Sequence, residues 1–93
     1  DFDWEYPTKP GIGCNTLSPN DSANFLSFLQ ALRATEVGGS MIISGAVAPT
    51  PFADTAGNPM TDVSEFAKVF DHIAIMVYDI WGSWSTGVGP NAP

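Results

Sequence analysis

The sequence predicts an α/β fold, a β-α-β-α-β unit with parallel strands. Two short apolar runs have the length of buried strands, a run of alternating acidic and aromatic residues precedes them, and the two stretches between these three runs repeat apolar residues at helical spacing. Loops rich in glycine and proline follow the first two runs. Strands that alternate with helices in this way form parallel sheets with right-handed crossovers. No glycine-rich phosphate motif follows the first strand, which disfavours a dinucleotide-binding fold, but element order alone leaves a barrel and an open sheet both possible.

The first strand is predicted at the start of the chain, where acidic and aromatic residues alternate. Side chains alternate across a strand, so Asp1, Asp3 and Glu5 should share one face. Phe2 and Trp4 take the other face, and Trp4 is predicted to pack in the core beneath the helices. Successive acids on one face lie about 6.5–7 Å apart along the backbone. At least one carboxyl group is therefore expected to keep its proton near neutral pH, as a general acid requires.

Two alternatives apply to the same acidic stretch, a solvated edge strand and a site for a hard cation. An EF-hand loop needs glycine at its sixth position and oxygen ligands further on, and Tyr6 and Pro7 fit neither requirement. His72 is the single histidine and has no partner at metal-ligand spacing, so a structural role is favoured for it. No metal and no cofactor are predicted.

A loop over residues 8–18 is predicted to lead into the first helix. Residues 19–22 offer helix start signals, and Gly38 and Gly39 are predicted to end a helix of about fifteen residues. The apolar stripe of this helix consists of Phe25, Leu26, Phe28, Leu29 and Leu32.

The second strand is predicted over residues 41–47 and should be buried on both faces, because the run is almost entirely apolar. Ser44 and Ala46 share a face and are small. They either leave room for a bulky group such as a sugar ring or fill a tight barrel interior. The loop over residues 48–60, with three prolines and Gly57, is long enough to form the rim of a cleft.

A short second helix is predicted to begin at a capping box formed by Asp62 and Glu65. The third strand follows over residues 72–78 and is too apolar for an edge strand. Its β-branched face suits a helix layer, and its mixed face suits a binding site. The β-branched face comprises Ile73, Ile75 and Val77, and the mixed face comprises Ala74, Met76 and Tyr78.

The charge of the chain limits its partners. Ten acidic residues against three basic ones give a net charge of −7. Phosphates would be repelled, so nucleic acid and anionic membranes are not expected as partners, and a neutral ligand is favoured. Cys14 is the single cysteine, so it either stays free or pairs outside this sequence. No oligomeric state follows from the sequence.

Two separated motifs resemble those of glycoside hydrolase family 18, the chitinases and related endo-N-acetylglucosaminidases. Asp1, Asp3 and Glu5 match the final D-x-D-x-E of the family motif D-x-x-D-x-D-x-E. Residues 76–79 match M-x-Y-D, which is typical of the chitinase branch, and residues 82–84 continue the Y-D-x-x-G-x-W pattern. The resemblance implies a (β/α)8 TIM barrel, of which this chain would hold strands four to six.

A closed barrel needs about 200 residues or more, so the chain is expected to be a fragment. Residues 1–93 would form part of a glycoside hydrolase family 18 catalytic domain, with residues 91–93 predicted as loop. Such a fragment leaves open sheet edges and an incomplete cleft, and is expected to be inactive by itself.

The resemblance also implies roles for the motif residues. Glu5 would be the general acid. Asp3 would hold the N–H of the substrate's 2-acetamido group while sharing a proton with Asp1. Tyr78 would donate its hydroxyl to the acetamido oxygen, and Asp79 would help to bind a distorted sugar. The substrate's own acetamido group would be the nucleophile, so the configuration of the sugar should be retained.

A second group of residues is expected to bind substrate. Trp84 matches the position of an aromatic residue beside the leaving-group sugar, and indole rings stack well on sugar C–H faces. The other expected substrate-binding residues are Met76, Tyr6, Ala46 and Trp81.

The implied function is retaining cleavage of β-1,4 linkages between N-acetylglucosamine units of chitin or chito-oligosaccharides. One alternative is a lectin with the same fold that binds chitin without cleaving it, although such members typically replace the acid, which Glu5 preserves here. The other is an endo-β-N-acetylglucosaminidase, which usually departs from M-x-Y-D. An extracellular location is expected from a polymeric substrate.

Overall fold

The computed structural model describes residues 1–90 and confirms the predicted parallel α/β arrangement. A three-stranded parallel sheet has the order β1-β2-β3, and helices fill the crossovers. No helix in the described part is long and apolar enough to cross a membrane. The loop predicted at residues 91–93 lies outside the described residues. In chain order the elements are β1 (Phe2–Asp3), α1 (Asp21–Arg33), α2 (Glu36–Ser40), β2 (Ser44–Val47), α3 (Ser64–Ala67) and β3 (His72–Ile75).

The strand register divides the sheet into two faces. Phe2 pairs with Gly45 and Gly45 with Ile73, while Asp3 pairs with Ala46 and Ala46 with Ala74. Because side chains alternate along each strand, the first row lies on one face and the second row on the other. The row with Phe2 packs against the hydrophobic core, and the row with Asp3 is the acidic face.

The core lies between the sheet and the helices and is rich in aromatic rings. Phe25 and Leu29 of α1 are buried, as the helical stripe predicts. Gly45 is required for this packing, because a Cβ atom there would lie 2.9 Å from the ring of Phe70. Trp4 packs edge-on against Phe25 with ring centroids 5.4 Å apart but stays 40% exposed, so its predicted core position is only partly reached. The buried cluster comprises Phe25, Leu29, Ile43, Phe66, Val69 and Phe70.

The first helical segment is divided in two, contrary to the prediction of one helix that ends at the two glycines. Helix α1 ends at Arg33, and Thr35 begins α2. The Thr35 hydroxyl accepts a hydrogen bond from the Gly38 backbone N–H at 2.9 Å. This N-cap satisfies a free donor at the start of α2, so Gly38 and Gly39 lie inside a second short helix.

The strands are shorter than predicted. Strand β1 covers Phe2–Asp3, so Glu5 lies beyond its paired part, and β2 begins at Ser44 instead of at residue 41. Strand β3 ends at Ile75 and stands at the edge of the described sheet, with all four residues exposed. An open edge is what a barrel fragment is expected to leave, so the position of β3 within residues 1–90 does not test whether it is covered in a complete barrel. No other part of residues 1–90 covers the apolar side chains of β3.

The predicted capping box is also corrected. Asp62 Oδ1 accepts from the Ser64 backbone N–H at 2.8 Å, and Val63 occupies the N-cap position of α3. The Glu65 carboxylate pairs with Lys68 instead of reaching back to the N-cap. The helix therefore starts one residue later than the capping box requires. The hydrogen bonds from Ser64 lower the pKa of the Asp62 carboxyl group.

Arg33 joins several elements at the amino ends of β2 and β3. Its Nε donates to the Val69 carbonyl at 2.8 Å, and Nη1 donates to the Met41 carbonyl at 2.5 Å. Its Nη2 forms an ion pair with Asp71, whose carboxylate also accepts from the Ile43 backbone N–H at 2.8 Å. The hydrogen bond from Ile43, followed by that from Arg33, holds the pKa of Asp71 below its usual value. We call this group of residues the Arg33 cluster.

Candidate active site

The residues predicted for the site gather near the carboxyl ends of the strands. Asp3 ends β1, Ala46 lies near the end of β2, and residues 76–79 follow β3 directly. Parallel strands bring their carboxyl ends to the same edge of the sheet, and α/β barrels place active sites at that edge. Two neighbouring cavities open there.

The first cavity has a volume of about 550 Å³ and lies between the strand ends and the loop over residues 48–60. The predicted residues that line it are Tyr6, Ala46, Met76, Tyr78 and Asp79. Its volume falls within the range of about 300–1,000 Å³ that is usual for ligand pockets. Ala46 borders this open volume, as do Ile73 and Ile75 of the opposite sheet face.

The second cavity, of about 520 Å³, carries the acidic residues. Asp3, Glu5 and Tyr6 line it together with Lys9 and Asn15. Trp4, Tyr6 and Lys9 also line the first cavity, so these three residues join the acids to the group that contains Tyr78. The peptide bond between Glu5 and Tyr6 is cis. The backbone groups of Tyr6 and Lys9 bond to each other at 3.2 and 3.4 Å, which closes a tight turn after the acid.

The pKa of the Tyr6 phenol is raised by its surroundings. Burial raises this pKa, and Glu5 and Tyr78 raise it further, because negative charge nearby opposes ionisation. Asp3 and Asp79 contribute in the same direction. The Tyr6 hydroxyl therefore stays protonated at neutral pH. Tyr6 lines the cavity of Asp3 and Glu5 and also the cavity of Tyr78 and Asp79, so its phenol lies between the two groups.

Asp1 takes a position outside both cavities. Its Oδ1 accepts a hydrogen bond of 2.6 Å from the Ser44 hydroxyl of β2. Asp1 therefore lies on the acidic face but further from the carboxyl ends than Asp3 and Glu5.

The two predicted tryptophans belong to the turn that follows β3. The Trp81 indole N–H donates to the Pro90 carbonyl at 3.1 Å. The Trp84 ring lies against Gly82, where a Cβ atom would come within 2.3 Å of it, so a side chain at this position would displace the ring. Trp84 is 69% exposed, and neither tryptophan lines the two cavities. In residues 1–90, Trp81 holds the turn together and Trp84 offers a free ring.

The loop over residues 48–60 forms one wall of the first cavity and is internally braced. Asp54 Oδ1 accepts from the backbone N–H groups of Ala56 and Asn58, both at 2.9 Å. Phe52 stacks on Phe66 with ring centroids 4.0 Å apart, which anchors the loop on the core. The structure therefore places this loop as a fixed rim.

Sequence reasoning missed two polar residues of this region. Lys9 lines both cavities, and the signal that could have found it is a lone cation four residues after the acid in a strongly acidic chain. Ser44 was noted for its size, but its hydroxyl is the partner of Asp1. The carboxyl and thiol groups within residues 1–90 form no cluster of three or more metal-binding side chains, and Cys14 is exposed.

Comparison with known proteins gives a family match over the whole chain. The family model described as Glycosyl hydrolases family 18 matches residues 1–93. A chitinase-like effector from Moniliophthora roreri is 59% identical over 93 residues, which are 100% of this chain and 22% of that protein. Chitinase 63 from Streptomyces plicatus is 37% identical over 94 residues, which cover 100% of this chain and 14% of that protein.

The solved structures agree with the sequence matches. A crystal structure of a chitinase from Rhizomucor miehei superposes with a TM-score of 0.86 at 40% identity, and the match covers 98% of this chain and 25% of that one. The match confirms that the three strands and their helices are part of a TIM barrel. The chain thus spans about a fifth of the length of its two Moniliophthora relatives, at 22% and 21%.

Proposed function

Because the chain belongs to glycosyl hydrolase family 18, we propose that it is part of the catalytic domain of a chitinase. The full-length protein would cleave β-1,4 linkages between N-acetylglucosamine units of chitin or chito-oligosaccharides. The observation that carries this proposal is the placement of Asp3 and Glu5 in one cavity and of Tyr78 and Asp79 in the neighbouring one, with Tyr6 lining both. The names of the relatives, which include several chitinases, support the same substrate class.

Glu5 is the proposed general acid, which protonates the glycosidic oxygen as the bond to the leaving sugar breaks. Its carboxyl group lines the second cavity and lies just beyond the carboxyl end of β1. A positioned acid of this kind contributes about 10²–10⁴-fold to a hydrolysis rate.

The attack on the anomeric carbon is proposed to come from the substrate's own acetamido oxygen, because family 18 is an exception to the rule of a second protein nucleophile. Asp3 would accept a hydrogen bond from the acetamido N–H and stabilise the positive oxazolinium intermediate while sharing a proton with Asp1. Water then opens the intermediate from the face that the leaving group vacated. Two inversions retain the configuration of the sugar.

Tyr78 and Asp79 are proposed to hold the sugar that reacts. The Tyr78 side chain is 64% exposed at the cavity wall, so its hydroxyl is free to donate to the acetamido oxygen. Asp79 has a positive φ of 53°, which turns the chain out of the strand direction directly after Tyr78. Both residues line the first cavity beside Ala46 and Met76, which would form its floor.

Aromatic side chains are proposed to bind the neighbouring sugars. Trp84 presents a free indole ring on the turn after β3, and Tyr6 lines both cavities. Trp81 holds the turn through Pro90, so its share in substrate binding would be indirect. An extracellular location is proposed from the polymeric substrate, and one relative from Penicillium expansum is named a secreted chitinase.

A chitin-binding lectin is the second candidate, because the two Moniliophthora relatives are named chitinase-like effectors. Such a protein would use the same aromatic residues and the same cavities without cleavage. Glu5 favours the enzyme, since a binding protein does not require an acid at this position. Residues 76–79 favour a chitinase over an endo-β-N-acetylglucosaminidase.

Hydrolysis of a fluorogenic chitobioside by the full-length protein, beside its Glu5→Gln variant, tests the proposal. We expect activity in the full-length protein and a loss of about 10²–10⁴-fold in the variant. The variant keeps the shape of the side chain, so binding of chito-oligosaccharides should be retained. Binding without hydrolysis in both proteins would replace the enzyme with the lectin. We expect residues 1–93 alone to be inactive.

A further inference from the structure

Ser44 makes the hydrogen bond that links β2 to the acidic strand through side chains. Its hydroxyl donates to Asp1 Oδ1 at 2.6 Å. Hydrogen bonds from a hydroxyl to an ionised carboxylate have lengths of about 2.5–2.7 Å, shorter than those between neutral groups. The Ser44 hydroxyl is the donor, and a hydrogen bond donated to a carboxyl oxygen stabilises the ionised form of that group. The contact therefore favours the charged form of Asp1.

The strand register places Ser44 where it acts through Asp1. Phe2 pairs with Gly45 and Asp3 with Ala46, so Ser44 lies on the acidic face, one pair further from the carboxyl ends than Ala46. Ala46 borders the first cavity, but Ser44 lines neither cavity. A sugar bound at the carboxyl ends would therefore contact Ala46 and the acids without reaching the Ser44 hydroxyl.

The titratable neighbours of Asp1 come from two strands. Asp3 and, further along, Glu5 follow it on the same strand. His72 is the residue of β3 in register with Ser44. The helices pack on the opposite face of the sheet, against Phe2. The Ser44 hydroxyl is the side-chain donor to Asp1 within residues 1–90.

We propose that Ser44 is a positioning residue, whose hydrogen bond holds the Asp1 side chain in place and favours its ionised form in the free enzyme. A hydrogen bond donated to a carboxylate favours its charged form, so loss of the donor lets the group take up a proton at higher pH. This inference rests on the proposed function. Ser44 lies on β2, outside both sequence motifs, so the inference gives this strand a part in the reaction.

The first measurement is the pH dependence of kcat/KM for the full-length protein and its Ser44→Ala variant, because kcat/KM reports groups of the free enzyme. Without the hydroxyl, Asp1 takes up a proton at higher pH. We expect the acidic limb of the profile to move up by about one pH unit, which is about a tenfold loss of kcat/KM at a pH below that limb. Ser44→Thr keeps a hydroxyl and should restore the original profile.

The second measurement follows the Asp1 carboxyl group directly, by its ¹³C chemical shift during a pH titration of the same proteins. We expect its midpoint to rise in Ser44→Ala and to return in Ser44→Thr. This readout does not require catalysis. If the full-length protein binds chito-oligosaccharides without cleaving them, a raised midpoint supports the Ser44 contact while the proposed function fails.

Two results would overturn the inference. One is an unchanged Asp1 titration in a folded Ser44→Ala protein, whatever its activity. The other is a raised midpoint without any movement of the kcat/KM profile in an active protein, since Ser44 would then not act on the reaction. If Ser44→Ala does not fold, Ser44→Cys keeps the side-chain volume with a weaker donor, and the same shifts should appear at smaller size.

Discussion

Polar side chains at the amino ends of the three-stranded sheet are hydrogen-bonded to other protein groups, whereas several at the carboxyl ends are not. At the amino ends, Arg33 and Asp71 bond to each other and to backbone groups of the neighbouring elements. At the carboxyl ends, the side chains of Glu5, Tyr78 and Asp79 form no hydrogen bond with other residues of the described chain. Polar groups that bond to each other stabilise a fold, whereas polar groups left without partners are available to a ligand.

The difference between the two ends predicts whether a substitution changes activity or stability. A change at the carboxyl ends should alter hydrolysis while the thermal stability stays the same, because those side chains support no other part of the chain. A change in the Arg33 cluster should alter stability while the activity of the folded protein stays the same. Enzymes with this barrel place their active sites at the carboxyl ends, which agrees with this division.

Tyr78→Phe is the substitution from which we expect the largest effect on function among the three that follow. It removes one hydroxyl that is proposed to donate to the acetamido oxygen as charge develops there. Loss of such a donor costs about 10²–10³-fold in kcat. The ring stays in place and is mostly exposed, so the melting temperature should not change. Steady-state hydrolysis of a chitobioside and a thermal melt of the same full-length variant measure both quantities.

If Tyr78→Phe lost stability together with activity, Tyr78 would support the fold as well. That result would contradict the assignment of stability to the amino ends and activity to the carboxyl ends. Unchanged kcat in a stable variant would remove the proposed role of its hydroxyl.

Arg33→Met should destabilise the full-length protein by about 2 kcal/mol, since it removes hydrogen bonds of a charged, half-buried group but keeps an apolar stem. Chemical denaturation measures this loss. Lys68→Met is the matched control, because Lys68 forms an exposed ion pair with Glu65 inside one turn of chain, and such pairs contribute about 0–1 kcal/mol. Similar losses in both variants would contradict a special role for the Arg33 cluster.

The pH dependence of stability should show a smaller effect of the same cluster. The folded state lowers the pKa of Asp71, so its carboxylate contributes stability above the unfolded-state pKa of about 3.9. That contribution is lost as the pH falls through the lower folded-state pKa. The gap in melting temperature between the full-length protein and Asp71→Asn should therefore narrow below about pH 4. A gap that stays constant from about pH 7 to about pH 3 would exclude this cause.

The sequence predicts the parts of this molecule that depend on local periodicity or on a contiguous motif. The spacing of Phe25 and Leu29 predicts the buried face of α1, and the alternation of Asp1, Phe2 and Asp3 predicts the two faces of β1. The acids and Tyr78 are predicted as site residues because each lies in a short, specific motif. The TIM barrel followed from the same motifs and is confirmed by the structural match.

Features that depend on contacts between distant residues could not be predicted. The hydrogen bond from Ser44 to Asp1 joins residues 43 positions apart, and the sequence around neither residue indicates its partner. The division of the first helix depends on whether Thr35 caps a new turn, which competes locally with the stop signal of the two glycines. The end of β3 depends on which strands flank it. The Ser44–Asp1 bond and the end of β3 are decided by tertiary structure, whereas the division of the helix is decided by two competing local signals.

The central claim is that the substrate's own acetamido group is the nucleophile. A comparison of two substrates tests this claim most directly. The full-length protein would be given two fluorogenic disaccharides with the same linkage and leaving group, one with 2-acetamido groups and one with 2-hydroxyl groups. We predict hydrolysis of the acetamido substrate and a rate at least about 10³-fold lower for the hydroxyl substrate, which lacks the internal nucleophile. Similar rates for the two substrates would contradict the claim.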